Sequence, residues 1–448
     1  MFTTWDPTSF VQSVSERHVL FVIVLIALAL RFLFMLYWVP QIPEHSWTFG
    51  YEPGGIARSL VAGEGFSSPF REPSGPTAWM MPVHPLLLAL IFKFFGVYSL
   101  QAAVAYLTLN SVVSALTCIP TYLIAKTCFG RTVGYIAALG LAVHPVSLYH
   151  MGHMWETTIF TFLAMCLIAW LLSLPKRLDV KSAGFYGLFV GFVALVNPLI
   201  LAFCPFLVLW LFLQADASGR RKVKLIGTFS LAVIVTLMPW VARNYSVFGR
   251  FMLRSTFGLE LRLGNSPKAW SASNALRMAP WNLGHPSTDQ SEFLRYASLG
   301  EVEYMDQNLH AALAFIRANP EKFLWSTIDR VGHFWFNDFT AKDESKKRMG
   351  FSFSLAGLAQ ISYVLPLPFM LCGILIALRR KLSIAPLVFF LVSIPLVYYI
   401  THAGLTRYRY PIEPIIIVFA SFGLYSLAVL VKCRIIHRCN AAELPVAI

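Results

Sequence analysis

Apolar stretches bounded by charged residues recur along the whole chain. They cover 18–38, 100–125, 132–149, 155–174, 183–196, 197–214, 224–242, 357–378, 384–401 and 411–432. A bilayer core needs roughly 20 predominantly apolar residues in helix. These runs are of that length or somewhat shorter, and the pattern predicts ten membrane-spanning helices. The first is too long for a signal-peptide core, and no small-residue cleavage site follows it, so it reads as a retained span. Within 183–214, Asn197-Pro198 divides one continuous apolar run by a tight turn.

Polar positions set the orientation. Arg17, Lys126 with Arg131, Lys176 with Lys181, Arg220 with Lys224, Arg379 with Lys381 and Lys432 with Arg438 all fall on one side if there are ten spans. The positive-inside bias makes that side cytoplasmic and places both termini there. The run 83–97 is apolar but short, and Lys93 interrupts it. Counting it as a span would invert every later loop, so it reads as a helix lying on the outer interface.

Two long segments then face outward. The first, 39–99, carries interfacial helices. The second, 243–356, reads as mainly helical with some mixed structure. In it Asn319-Pro320-Glu321 marks one helix ending and another beginning. Ser287 and Thr288 precede a further helix, and 248–265 is rich enough in β-type residues to suggest a hairpin. The expected organisation is an N-terminal transmembrane module over 1–242 with its outer loop 39–99, an outer segment 243–356, C-terminal transmembrane helices 357–432, and an unstructured cytoplasmic tail 433–448. The fold class is an all-α polytopic membrane protein of about ten helices.

Composition agrees. Of 448 residues, 57% are hydrophobic and 13% charged, against about 25% charged in soluble domains. This excludes a soluble enzyme, a disordered chain and a collagen-like fibre. The 36 Lys and Arg against 22 Asp and Glu give a net charge of +14. No basic stretch interleaves with aromatics as a strand-binding channel would, so the excess reflects loop bias rather than a nucleic-acid partner. None of the seven cysteines lies in the long outer segments. The pattern gives no disulfide framework and no CxxC-type zinc spacing.

Four polar stretches could carry chemistry. The first outer segment contains FGYEPGGIARSLVAGEGFSSPF. Glu52, beside Pro53-Gly54-Gly55, is either a base held at the membrane surface or an acid favoured by the helix dipole. Arg58 can meet a phosphate or pair with Glu52 or Glu64. His84, in Pro82-Val83-His84-Pro85, opens a helix whose free N–H groups attract anions; the alternative is a plain surface histidine. The second stretch, HPVSLYHMGHMWETT, holds His144, His150, His153 and Glu156. A carboxylate adjoining an apolar span is costly and marks function by default. The i, i+3, i+6 spacing of His150, His153 and Glu156 leaves open a loose metal site or a polar network lining a cavity.

The third stretch, THAGLTRYRYPIEP, alternates Arg407, Tyr408, Arg409 and Tyr410 before the last span. Arginine forks suit phosphate oxygens, while aromatics at this level are common anchors. In the fourth, PWVARNYSVFGRF with GLELRLGN downstream, Arg243 and Asn244 either shape a cavity or end a helix.

The order of these elements resembles the GT-C superfamily of polytopic glycosyltransferases. Within it, the chain looks like the branch of protein O-mannosyltransferases and lipid A aminoarabinose transferases. The resemblance rests on the span, the long outer loop with its early acid, Gly63-Glu64-Gly65-Phe66, the Pro-x-His-Pro element, an outer acid near the fourth span, and the RYRYPIEP start of the last span. It implies a sugar donor on polyprenyl or dolichyl phosphate and transfer on the non-cytoplasmic side. The acceptor would be a protein, a lipid or a glycan. It implies Glu52 as the first-loop catalytic acid and Glu156 as a second acid. His84 stands where the aminoarabinose branch has a lysine.

In such a reaction Glu52 would take the acceptor's proton. Arg407, Arg409 and His84, with Arg58 and Tyr408, would meet the lipid phosphate. No cofactor is required, and a divalent cation on Glu52, Glu156, His150 and His153 is left open. Two other readings carry the same features: a transporter or flippase of a lipid-linked sugar, and an inactive assembly subunit.

Overall fold

The computed structural model describes residues 7–42, 49–174, 179–214, 218–272, 280–336, 353–402 and 405–436. Five helices there are long and apolar enough to cross a membrane: Ser15–Gln41, Leu100–Phe129, Gly219–Phe248, Leu358–Arg379 and Thr406–Cys433. The bent pair Arg131–Ala142 and Pro145–Met151, which turns by 51°, makes a sixth if the two count as one span. The remaining predicted runs are shorter apolar helices, Thr157–Ser173, Val180–Val196, Pro198–Trp210 and Ala385–Ile400. They are short because polar and imino residues cut them. Asn197 accepts Leu199 N–H at 3.0 Å and starts a new helix at Pro198, and Pro395 divides Ala385–Ser393 from Leu396–Ile400. The protein is a multi-pass membrane protein, with Phe21, Leu33 and Leu36 of the first helix among the apolar side chains left exposed. The expected interfacial run is the helix Val83–Phe95, about 20 Å long at 1.5 Å per residue.

Glycines draw the spans together. A Cβ at Gly373 would stand 2.2 Å from Phe419 O, and one at Gly423 would stand 2.1 Å from Phe369 O. The helices Pro366–Arg379 and Glu413–Ile436 therefore touch backbone to backbone, the close approach that small residues permit in membranes. Buried arginines tie other elements. Arg31 is fully buried in the first span and donates to Ser114 Oγ at 2.8 Å and to Ala142 O at 2.9 Å, at the bend of the broken span. Its cation there meets carbonyls at a helix C-terminus, where positive charge is favoured.

The outer segments form one packed unit. Glu301, buried, accepts from Ala78 N–H at 2.6 Å, from Tyr296 O–H at 2.8 Å and from Thr77 Oγ1. Arg243 donates to Thr77 O at 2.7 Å and Phe66 O at 2.8 Å. Phe70 and Trp79 of the first segment share a core with Leu259, Leu263, Phe293 and Tyr304 of the second.

Two expectations are corrected, the hairpin over 248–265 and the extent of the tail. The hairpin over 248–265 is absent. Phe257–Gly264 is a helix, and the described residues hold no strand beyond an isolated Ser67–Pro76 bridge. Leu259, Leu261 and Leu263 alternate as in a strand, but all three are buried because this helix is covered around most of its circumference. The helix after Ser287 and Thr288 is capped by Asp289, whose carboxylate takes Ser291 and Glu292 N–H groups at 3.0 and 3.3 Å; an aspartate cap satisfies two open donors at once. The last helix continues to Ile436 into the expected tail; residues 437–448 lie outside the described residues. Cys118, Cys128, Cys166, Cys204 and Cys372 are free, and Cys433 is disulfide-bonded.

Candidate active site

Glu52 lies in the first turn of the helix Tyr51–Val61. Gly50 at φ 95° and Tyr51 at φ 50° turn the chain into that helix. The two following glycines let loop 66–71 lie on its back: a Cβ at Gly55 would be 2.6 Å from Pro69 O. Arg58, the expected phosphate contact or partner of Glu52, completes this support instead. Its two terminal nitrogens donate to Arg71 O at 3.0 Å and Phe70 O at 3.1 Å.

The second outer segment closes over Glu52. His285 Nε2 stands 3.9 Å from Glu52 Oε1. Beyond it, Glu260 is hydrogen-bonded to His402 Nε2, and Arg254 Nη2 is 4.0 Å from Glu260 Oε1. The Glu260 carboxylate only accepts, so His402 Nε2 carries the proton toward it; Tyr408 O–H lies 3.3 Å from the other ring nitrogen, Nδ1. Arg254 is anchored by donating from Nε to Trp79 O at 2.8 Å. Arg407 places its guanidinium carbon 4.6 Å over the Trp155 ring, a stacked setting that arginine favours.

The charges sort by environment. Burial pushes the Glu52 carboxyl above the usual carboxylate range, helped by Glu260 and opposed by its own N–H, Arg407 and Arg254. Burial acts the same way on Glu260, but His402, Arg254 and His285 overcome it and bring that carboxyl down to about 2. His285 is lowered to about 4, first by burial and then by His402, Arg407 and Arg262, against Glu260. At neutral pH the site therefore holds a neutral His285 between a reluctant acid and a permanent anion.

Glu156, at the head of the helix Thr157–Ser173, accepts from Asn197 Nδ2 at 3.2 Å. It and Glu52 both act electrostatically on Arg407, so the structure brings Glu52, Glu156, Arg407 and Tyr408 around one region. It does not bring Arg409 there. Arg409 is fully buried and donates to Glu413 Oε1 at 2.6 Å, Trp335 O at 2.7 Å and Tyr363 O at 2.5 Å. The difference follows from spacing: two residues apart on a helical turn, the two side chains leave in opposite directions.

His84 is buried as well. Its Nε2 is 2.9 Å from Tyr106 O–H, whose proton goes to Trp155 O at 3.0 Å, so Nε2 donates. A Pro-x-His-Pro element in a helix start pointed to the surface, but this helix packs its His84 face on the Leu100–Leu116 helix. His150 is buried and, among the described residues, has no hydrogen-bond partner on either ring nitrogen, and His153 donates from Nδ1 to Tyr149 O at 2.9 Å. Among the described residues, no three His, Cys, Asp or Glu side chains converge to hold a metal ion. Glu52, Glu156, His150 and His153 are thus not gathered as one ligand set.

His285, Glu260, Arg254 and His402 were not singled out from sequence. His402 and Glu260 sit in stretches flagged for other residues, and His285 lies in an ordinary-looking loop. Only the fold, by closing one outer segment on the other, makes them neighbours.

Comparison with known proteins places this geometry. Residues 74–240 match the family model described as dolichyl-phosphate-mannose-protein mannosyltransferase. A search of curated proteins by sequence finds no match. Among solved structures, the archaeal oligosaccharyltransferase AglB from Archaeoglobus fulgidus, in complex with an inhibitory peptide and a dolichol-phosphate, matches with TM-score 0.53 and 18% identity over 98% of this chain and 52% of that one. The Archaeoglobus fulgidus oligosaccharyltransferase in complex with Zn and sulfate matches with TM-score 0.50 and 17% identity, over 93% and 51%. ArnT from Cupriavidus metallidurans bound to undecaprenyl phosphate gives TM-score 0.44 and 12% identity, over 94% and 80%. The chain spans about half the length of the archaeal structures. Its fold is similar to that of the archaeal oligosaccharyltransferase AglB.

Proposed function

We propose that the chain is a membrane glycosyltransferase that moves a sugar from a polyprenyl-phosphate-linked donor to an acceptor on the non-cytoplasmic side. The observation that carries this is the placement of Glu52 within electrostatic reach of Arg407, in a half-buried polar region closed by both outer segments. The archaeal neighbour's dolichol-phosphate and the mannosyltransferase family model support the donor class.

The chemistry follows from the groups present. A half-buried carboxylate of raised proton affinity is a suitable general base near neutral pH. Glu52 takes the proton of the acceptor hydroxyl or amine as that atom attacks the anomeric carbon. The bond from that carbon to the phosphate oxygen breaks, and its electron pair leaves with the lipid phosphate. Attack opposite the leaving group inverts the anomeric centre. A phosphate leaving group needs no proton, unlike the alkoxide of a glycosidase. It needs cations, which Arg407 and Arg254 supply in a setting where burial strengthens them. Glu156 holds Arg407 toward the region, and Tyr408 holds His402 toward Glu260. Arg409, Arg58 and His84 act as supports. No step is assigned to a metal ion.

In this reading both termini are cytoplasmic. The module 1–242 supplies Glu52 and Glu156, the outer segment 243–356 roofs the site and shapes acceptor choice, and the helices 357–432 supply Arg407. The test uses purified protein in nanodiscs with a panel of polyprenyl-phosphate sugars, following release of free polyprenyl phosphate. Release that needs Glu52 establishes the transferase. Binding of these lipids without release by any pairing of donor and acceptor would favour a carrier.

A further inference from the structure

His285 is held in one orientation and one tautomer. Ser287 N–H donates to His285 Nδ1 at 3.1 Å, and Ser287 Oγ lies 2.6 Å from the same nitrogen. A nitrogen that accepts a backbone N–H cannot carry a proton, so in the neutral ring the proton is on Nε2. The ring is wedged edge-on against Phe70 at 6.1 Å and Trp79 at 5.4 Å, with interplanar angles of 83° and 89°. Its own carbonyl accepts Thr288 and Asp289 N–H at 3.0 and 2.9 Å. It is 7% exposed. All of this aims Nε2–H at Glu52 Oε1, 3.9 Å away, a gap that a shift of about 1 Å turns into a hydrogen bond.

We propose that His285 is the positioning residue of Glu52, directing Nε2–H at its carboxylate so that the ionised base is kept and aimed at the acceptor. This rests on the functional reading above. The assignment is specific among the neighbours. Tyr51, Arg407, Glu260 and Arg254 also act on Glu52, and Glu260, His402, Arg407 and Arg262 act on His285. Of these, Arg254 and His402 are turned to Glu260, and Arg407 is shared with Glu156. His285 is the group whose donor is left facing Glu52. Because the ring is lowered by burial, it stays a neutral donor and does not take Glu52's proton at neutral pH.

Two variants and two readouts test this. In His285→Phe the ring packing stays and the donor is lost; in His285→Gln an amide N–H returns near the Nε2 position. The Glu52 carboxylic acid is titrated by infrared spectroscopy, its C=O band identified by its loss in Glu52→Gln. The expected midpoint in His285→Phe is about one pH unit above wild type, and in His285→Gln it returns toward wild type. The acid limb of kcat/KM moves with it, about tenfold in rate below the midpoint for that one-unit rise. An unchanged midpoint in His285→Phe, or no recovery in His285→Gln, overturns the proposal. The infrared arm needs no turnover. A shifted midpoint in a protein that transfers no sugar would sink the transferase reading and leave the His285–Glu52 pairing standing.

Discussion

Two sets of charged side chains in this protein behave in opposite ways. Arg31, Arg330 and Arg409 are buried and saturated with acceptors. Arg330 alone donates to Tyr399 O, Gly264 O, Thr401 O, Asn265 Oδ1 and Thr327 Oγ1 at 2.7–3.2 Å. Around Glu52 only Glu260 is tightly held, by His402; the other charges stand close without direct bonds, at 3.9 Å from Glu52 to His285 and 4.0 Å between Arg254 and Glu260. A saturated buried ion is a tie: breaking it costs stability. Loosely coupled ions held in place by their neighbours leave capacity for a ligand. Arg407 and Arg409, two positions apart, fall on either side of that line.

Substitutions can break or sharpen this contrast. The largest expected effect is on chemistry. Glu52→Gln should lower single-turnover transfer by about 10²–10⁴-fold, the usual contribution of a general base, with donor binding retained. The same change bears on stability. Burial raises the folded-state proton affinity of Glu52. Its contribution is therefore fully present below the unfolded carboxyl value of about 4.3 and is lost as pH rises through the raised folded value. Glu52→Gln removes that loss, so its Tm in nanodiscs at neutral pH should equal or exceed wild type, and a clear fall would place Glu52 among the ties.

Arg407→Met should cost about 10²–10³-fold in transfer, as the loss of one charge-stabilising donor does, with little change in Tm. Arg409→Met should do the reverse, leaving Glu413 buried without its partner and lowering stability by on the order of 3 kcal/mol. Thermal unfolding and turnover measured on the same two preparations separate them. Two variants that lose activity and stability in equal measure would erase the distinction.

A smaller effect is expected at the joint that roofs the site. Glu301→Gln keeps the shape but weakens the acceptor of Thr77, Ala78 and Tyr296. It should cost about 1–3 kcal/mol, read as earlier protease cleavage of the outer segments. Gly264→Ala sets a Cβ 1.6 Å from Thr401 O and should cost about the 1–3 kcal/mol of overpacking, or more.

The membrane part of this fold was legible because hydropathy and loop charge report on the bilayer directly. The predicted runs are largely helical where described, but five helices, or six with the bent pair, are long and apolar enough to cross a membrane, against the ten expected; Asn197 and Pro395 cut two of the shorter runs. The site was legible in part. Glu52 and Glu156 stand out as acids beside apolar runs, and Arg407 as an outward cation. Arg409 has the same signature and a different fate, which only the packing of Tyr363 and Trp335 around it decides. His285 and Glu260 carry no local signal at all. They join the site through tertiary closure, held by Glu301 on Thr77 and Ala78 and by Arg330 on Gly264, contacts far apart in sequence. The hairpin expected over 248–265 fails because packing overrides β-type composition there: Phe257–Gly264 is a helix with Leu259, Leu261 and Leu263 buried.

The most direct test loads wild type and Glu52→Gln with the same polyprenyl-phosphate sugar in nanodiscs, then adds acceptor and follows one turnover. The account predicts equal donor binding, transfer by wild type, and transfer by Glu52→Gln reduced at least a hundredfold. Equal single-turnover rates in the two proteins would contradict it.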